Sequence, residues 1–241
     1  MLKLKPDKFS LEHTNMWSFP DRGDWATHSG AYRGNWSPYI PRNIILRYTK
    51  EGDWILDQFL GSGTTLIESK LLNRNAVGVD INEKALIISK NNLNFDIDNK
   101  AKIYLKYGNA CDLYFFKYNK FDLICTHPPY ADIIKYSDGI EGDISVLEYT
   151  DFCDRMSDVA DECYRVLKRG KICALMMGDI RKKGNIIPLG FKVMQIFLNK
   201  KFILKEIVIK KQNNCRSTNY WKDICGSFLL IEHEYIFIFQ K

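Results

Sequence analysis

The sequence predicts an α/β fold: a doubly wound, mostly parallel sheet of seven strands that ends in an antiparallel C-terminal hairpin. Three observations carry this expectation. Short apolar runs of strand length alternate with segments of helical spacing along the chain. Several of those runs end in a glycine-rich or polar corner, where open α/β sheets keep their ligands. The last two apolar runs follow one another with no helix between them, as antiparallel neighbours do.

The first fifty residues hold three of the five tryptophans, Trp17, Trp25 and Trp36. They read as an irregular arm packed on a domain spanning 51–241. "WILDQFL" (54 to 60) is the first strand, and "GSGTTLIESKLLNR" takes helical spacing after a glycine turn. "AVGVDI" (76 to 81) is the second strand, which completes a β-α-β opening. "INEKALIISKNNL" reads as helix, "KIYLKYGNA" as strand and turn, and "KFDLICT" as the fourth strand. "VLEYTDFCDRMSDVADECYRVLKRG" reads as a long helix stopped by Gly170. "KICALMMGD" is a strand, "LGFKVMQIFLNKK" a helix, and "FILKEIVIKK" and "EHEYIFIFQK" are the closing strands. No internal repeat or low-complexity tract interrupts the alternation.

With 241 residues, 46% hydrophobic and 27% charged, the chain can bury one core of ordinary size. No run approaches the roughly eighteen apolar residues of a membrane span, and "MLKLKPDKFS" is not a signal peptide, so a cytoplasmic protein is expected. Seven cysteines are scattered without a CxxC pair, which predicts reduced thiols and no metal site. The net charge of +6 is uneven: after residue 160 there are 16 Lys and Arg against 7 Asp and Glu. A basic third of this kind suits a polyanion and equally a solvated face; charge leaves both open.

Four strand ends carry the chemistry. In "LDQFLGSGTT", Gly61 and Gly63 allow tight positive-φ turns and close ligand approach, while Thr64 and Thr65 lead into a helix N-terminus. The lysine of a phosphate-binding P-loop is missing, which argues against an ATPase. About twenty residues on, Asp80 ends the next strand, where a carboxylate can accept both hydroxyls of a ribose. "GNACD" follows the third strand, and Asn109 or Asp112 could hold an adenine amino group. The fourth strand ends in "THPPY". Two prolines supply no backbone donor and cannot continue a central strand, so Thr126 closes it and a stiff corner follows.

In this order and spacing, "LDQFLGSGTT", "GVDIN", "GNACD" and "THPPY" resemble the motifs of S-adenosylmethionine-dependent methyltransferases that act on exocyclic amino groups of DNA bases. The resemblance covers roughly residues 24 to 240 and includes "HEYIFIFQK", similar to that family's closing strand. It implies a Rossmann-like, class I methyltransferase fold with S-adenosyl-L-methionine as cofactor and double-stranded DNA as partner. Carried over residue by residue, Asp57, Gly61, Gly63, Thr64 and Asp80 would hold the cofactor. Phe59, Leu60, Ser62, Thr65, Ile81, Asn109, Ala110 and Thr126 surround them. Tyr32 belongs to "HSGAYRGNWSPYIPRNII", which sits where such enzymes keep another cofactor-contacting segment. His127, Pro128, Pro129 and Tyr130 would meet the target base as the catalytic signature.

The signature has a physical logic. An amine conjugated to a base ring is a poor nucleophile because its lone pair is delocalised. Accepting hydrogen bonds from both amino protons, through a side-chain atom and the first proline's carbonyl, frees that lone pair; positioning and electrostatics then supply the rate. Tyr130 can stack on a base rotated out of the duplex. Two departures stand out. The family usually has proline at the position of Gln58, and Asp, Asn or Ser at that of His127. A histidine accepts only when neutral and in the right tautomer, which predicts activity that falls in acid. "THPPY" is nearer in form to the cytosine version "TSPPY", so cytosine N4 is favoured over adenine N6 as the target.

About sixty residues separate the glycine loop from the Pro-Pro corner, too few for a large recognition domain. Residues 131 to 160 carry eight acids against two bases, which suits a glycine-hinged loop closing over the base better than a phosphate contact. "RKKGN", with Arg181, Lys182 and Lys183, and "KKQNNCRSTNYWKD", with Lys210, Lys211, Arg216 and Lys222, are the candidate nucleic-acid contacts. A separate specificity subunit or a second copy of the chain could supply the rest of recognition. His233 reads as structural, and His13 and His28 as too isolated for a metal. A restriction-modification or other DNA-marking setting follows from the resemblance. Alternatives are a transfer-RNA guanine amino-methyltransferase and a silent cofactor- and nucleic-acid-binding module disabled by His127.

Overall fold

Alternation of buried side chains along the central strands gives the sheet two covered faces. Leu56 and Ile124 point into one core while Ile55, Leu123 and Cys125 point into the other. Along the last strand Tyr235, Phe237 and Phe239 share the first core, and Ile236 and Ile238 the second. This period of two, with helices on both sides, is the signature of a doubly wound sheet. The computed structural model describes residues 2–213 and 228–241.

In chain order the elements are β1 (Met16–Ser18), α1 (Tyr39–Tyr48), β2 (Trp54–Asp57), α2 (Thr64–Leu71), β3 (Asn75–Asp80), α3 (Glu83–Asn92), β4 (Ile103–Tyr107) and β5 (Phe121–Thr126). Then come α4 (Tyr149–Val166), β6 (Leu167–Met177), β7 (Ile180–Lys182), β8 (Asn185–Ile187), α5 (Leu189–Asn199), β9 (Ile203–Lys211) and β10 (His233–Gln240). The main sheet has eight strands in the order β1-β9-β10-β6-β5-β2-β3-β4, and β10 alone runs antiparallel to its neighbours. All seven expected strands form. The eighth, β1, comes from the N-terminal arm and pairs in parallel with β9, Trp17 opposite Lys210.

Three local expectations change. The arm is not irregular, because it contributes β1 and the ten-residue helix α1, whose Ile40, Ile44 and Ile45 are fully buried. The C-terminal hairpin is not at the sheet edge, since β10 inserts between β9 and β6, burying six consecutive residues, Glu234 to Phe239. Gly170 does not stop a helix. α4 ends at Val166, and Gly170, at φ +73°, lies where the pairing of β6 with β5 slips between Leu167 and Ile172. A glycine accommodates such an irregularity without the Cβ penalty.

β2 lies between β5 and β3, so the sheet order reverses there. The crevice outside the carboxyl ends of β2 and β5 is the topological switch point, the place where this architecture leaves room for a ligand. Asp57, Asp80 and Thr126 are the last residues of β2, β3 and β5, at that end of the sheet.

Candidate active site

The glycine loop is held from every side. Gly61 and Gly63 have φ of +52° and +86°, a region that side chains avoid, and Gly63 caps α2. The Gly61 N–H donates to Asp80 Oδ2 at 2.9 Å, and the Asn82 N–H donates to Asp80 Oδ1 at 2.9 Å. Ser89 Oγ donates to the Gly61 carbonyl and Asn92 Nδ2 to the Ser62 carbonyl. Asp57 ties the loop to the Pro-Pro corner. Its carboxylate accepts from Thr65 Oγ1 at 2.6 Å, from Thr126 Oγ1 at 2.8 Å and from the Phe59 N–H at 3.2 Å. Burial pushes the Asp57 carboxyl up to about 6, with the two hydroxyls pulling the other way. Asp57, Thr65 and Thr126 therefore act as a brace between two motifs.

Around the loop lies a pocket of about 810 Å³. Of the expected cofactor residues, Tyr32, Asp57, Phe59, Leu60, Gly61, Ser62, Asp80, Ile81, Asn109 and Ala110 border it. Gly63, Thr64, Thr65 and Thr126 stand behind that lining, and Thr64 Oγ1 donates to Asn35 Oδ1 of the arm at 2.5 Å. Asn109 Oδ1 is occupied by the Cys111 N–H. Asp112 is exposed, off the pocket, and its carboxylate accepts from the Tyr114 N–H.

Sequence reasoning missed the far wall. Asn82, Tyr136, Gly142, Asp143, Ile144 and Ser145 also line the pocket. Asn82 Nδ2 donates to the Tyr136 carbonyl at 2.8 Å, and the rings of Tyr32 and Tyr136 stack 6.1 Å apart. Burial pushes the Tyr136 hydroxyl up to about 12. The acidic segment after the corner, expected over the target base, thus borders both this pocket and the next. Gly139 and Gly142, the glycines of the expected hinge, both have positive φ.

A second pocket of about 1290 Å³ opens beside the first. Pro128, Tyr130, Arg22, Lys210 and Glu234 line it, while Trp36, His127, Pro129 and Tyr136 border both chambers. The Pro-Pro corner is the partition between them. No donor among the described residues is bonded to the Pro128 carbonyl oxygen. The His127 ring stacks on Trp36 at 5.5 Å and 22°, and His127 Nε2 lies 2.9 Å from the Tyr130 hydroxyl. Burial depresses the His127 imidazole to about 4; Glu234 opposes the shift and Lys210 adds to it. Burial also raises the Tyr130 hydroxyl well above its usual range, with Glu234 adding to it.

Among the basic candidates, Lys183 and Lys211 are exposed, Lys183 in the turn between β7 and β8. Arg181 donates to the Gly184 and Leu229 carbonyls. Lys182 is paired with Asp132 at 2.7 Å and with Glu148 at 3.4 Å. Lys210 is paired with Glu234 at 2.8 Å and lines the second pocket. Arg216 and Lys222 lie outside the described residues. Among the described residues no cluster of His, Cys, Asp and Glu could hold a metal, and no helix is long and apolar enough to cross a membrane.

The chain is similar to known proteins in part of its sequence and in fold. A Type II methyltransferase of Lactococcus lactis subsp. cremoris, M2.LlaDCHI, is 50% identical over 56 residues, 23% of this chain and 21% of that protein. M2.DpnII of Streptococcus pneumoniae, also a Type II methyltransferase, is 47% identical over 55 residues, 23% of this chain and 20% of that one. The chain thus spans about a fifth of the length of these two curated relatives. In fold it is similar to an SAM-dependent methyltransferase from Methanosarcina mazei, with a TM-score of 0.57 at 19% identity over 82% of this chain and 96% of that one. TrmN from Thermus thermophilus superposes with a TM-score of 0.58 at 18% identity over 87% of this chain and 50% of that one. A family model described as DNA methylase, the N6_N4 methylases, matches residues 2–91 and 121–241, and the chain belongs to that family.

Proposed function

We propose that the chain is an S-adenosylmethionine-dependent DNA methyltransferase acting on the exocyclic amino group of cytosine (N4) or adenine (N6). The observation that carries this reading is the partition: His127 and Pro129 border both the pocket at the glycine loop and a second chamber. The family supplies the chemistry and the geometry supplies the meeting point.

The first pocket fits the cofactor. It lies at the topological switch point and joins apolar walls to a few convergent polar groups, as small-molecule sites do. A Cβ added at Gly61 would lie 3.2 Å from the Tyr32 ring, so the loop leaves a cradle there that a side chain would fill. Asp80 is fixed by two backbone donors and keeps lone pairs for a ribose diol, with Ile81 and Ala110 as apolar walls for an adenine ring. When bound, the cofactor supplies an activated methyl group on a sulfonium. His127 and the Pro128 carbonyl accept the two amino protons, and Tyr130 stacks on a base turned out of the duplex. The second chamber receives that base. Residues 51–241 form the catalytic domain and 1–50 the arm that closes its flank. Lys183, Lys211 and Arg181, with Arg216 and Lys222, meet phosphates, and the work is done in the cytoplasm on duplex DNA. A separate specificity subunit or second copy completes target recognition in a DNA-marking system.

Tritiated-methyl transfer to mixed-sequence duplex DNA and to transfer RNA, with nucleoside mass spectrometry of the product, tests the reading. Methylated cytosine or adenine amino groups in DNA support it, whereas label confined to RNA guanine transfers the chain to a different substrate. Asp80→Ala is expected to weaken cofactor binding by about tenfold to a hundredfold, since hydrogen bonds to a charged acceptor are lost. Unchanged affinity by calorimetry would remove Asp80 from the site.

A further inference from the structure

We propose that Glu234, seated by Lys210, sets the tautomer of His127: through the Tyr130 hydroxyl it keeps the ring proton on Nε2 and leaves Nδ1 as the acceptor for one proton of the target amine. The inference rests on the methyl-transfer reading for its substrate, but its geometry does not. Lys210 of β9 and Glu234 of β10 face each other across the sheet, and Lys210 Nζ donates to Glu234 Oε2 at 2.8 Å. The Tyr130 hydroxyl donates to Glu234 Oε1 at 2.8 Å and lies 2.9 Å from His127 Nε2.

The direction of each hydrogen bond follows from one end of the chain. Burial alone would raise the Glu234 carboxyl; Lys210 and its other partners outweigh that and hold it below its usual range, so it is ionised. An ionised carboxylate only accepts, so the single hydroxyl hydrogen of Tyr130 points at Glu234. Its oxygen then has only lone pairs to offer His127, and Nε2 at that distance has to be a donor. Burial keeps the ring neutral, so it carries one proton and Nδ1 is bare. Nδ1 has no partner among the described residues and is not sealed from the pockets that His127 borders.

The anchor cannot drift easily. A Cβ on Gly178 would come within 2.9 Å of the Tyr130 ring, so the ring packs flush on the backbone there. An aspartate, asparagine or serine at the position of His127 carries an oxygen that accepts whatever surrounds it. A histidine needs a neighbour to choose its bare nitrogen, and Glu234 with Lys210 are the positioning residues that do so. Lys210 is thereby spent on the catalytic corner rather than on phosphate.

The test is nitrogen-15 spectroscopy of the four histidines in labelled protein, which reads the protonated nitrogen of each ring directly. The wild-type His127 ring is expected to be protonated on Nε2 with Nδ1 bare near neutral pH. In Glu234→Gln, Lys210 takes the amide oxygen and the amide N–H turns to Tyr130. The hydroxyl then donates to Nε2, and the ring proton moves to Nδ1. Turnover should fall about a hundredfold, while the affinity for S-adenosylmethionine holds. A wild-type ring protonated on Nδ1, or a Glu234→Gln ring still protonated on Nε2, overturns the proposal even if turnover drops. Should the tautomers behave as expected while the wild-type protein methylates neither DNA nor RNA, the relay stands and the assigned reaction falls.

Discussion

His127→Ala is expected to slow methyl transfer about a hundredfold to a thousandfold while the protein still binds S-adenosylmethionine. The alanine would remove one of the two acceptors proposed for the amino protons but leave the glycine loop, Asp80 and the Asp57 brace intact. His127→Asn returns an acceptor oxygen at the same corner, so it should recover most of the loss. The pH profile carries the sign. Because the folded imidazole is depressed to about 4, the neutral, accepting form persists well below the ordinary histidine range, and the acid limb of turnover should fall near pH 4. Folding linkage runs the same way: the unfolded chain takes up this proton at about pH 6.5 and the folded chain only near 4, so stability declines as pH drops through that window. A limb near 6.5, or parallel loss of cofactor binding and turnover in His127→Ala, would make His127 a structural residue.

The parts of the molecule legible in sequence are those whose residues are neighbours along the chain. Gly61, Gly63 and Asp80 could be read because turn, helix start and strand end follow in one β-α-β unit, and the corner because proline cannot continue a strand. Strand identity was legible from length and alternation, but strand order was not. That β10 would insert between β9 and β6 depends on pairing across the sheet, which no local pattern encodes. β1 has three residues, too few for a period to register. The same limit hid half the site. Glu234 is 104 residues from Tyr130, and the only hint in "HEYIFIFQK" was a charge inside an apolar strand. A buried carboxylate in a central strand asks for a partner. The sequence could pose that question without saying which residues answer it. His233, beside it, reads as structural, and its Nε2 lies 3.0 Å from the Tyr235 hydroxyl.

Glu68→Leu should be the most damaging single change outside the pockets, at about 3 to 5 kcal/mol of stability. Glu68 sits in α2, one turn beyond Thr64 and Thr65, with its side chain fully buried. Trp25 Nε1 donates to Glu68 Oε1 at 2.7 Å, His28 Nε2 lies 2.7 Å from the same oxygen, and Arg42 Nη1 donates to Oε2 at 2.8 Å. All three partners come from the first fifty residues, so one carboxylate fastens the arm to the helix that begins at the glycine loop. Leucine would fill the space but strand a guanidinium and an indole N–H without an acceptor, and unmade buried bonds cost more than made ones return. For a chain of this size the loss corresponds to a melting temperature lower by on the order of ten degrees. Arg42→Met should also destabilise, by leaving the carboxylate short of its cation. Combining the two removes both charges, so the double variant should melt above the sum of the single losses. Strict additivity, or a Glu68→Leu protein that melts with the wild type, would mean that the arm is held by Trp25 and the apolar contacts of α1 alone. Coupling between the two would make the buried ion pair the fastener, and would explain why a segment so rich in tryptophan also keeps Arg42 in its core.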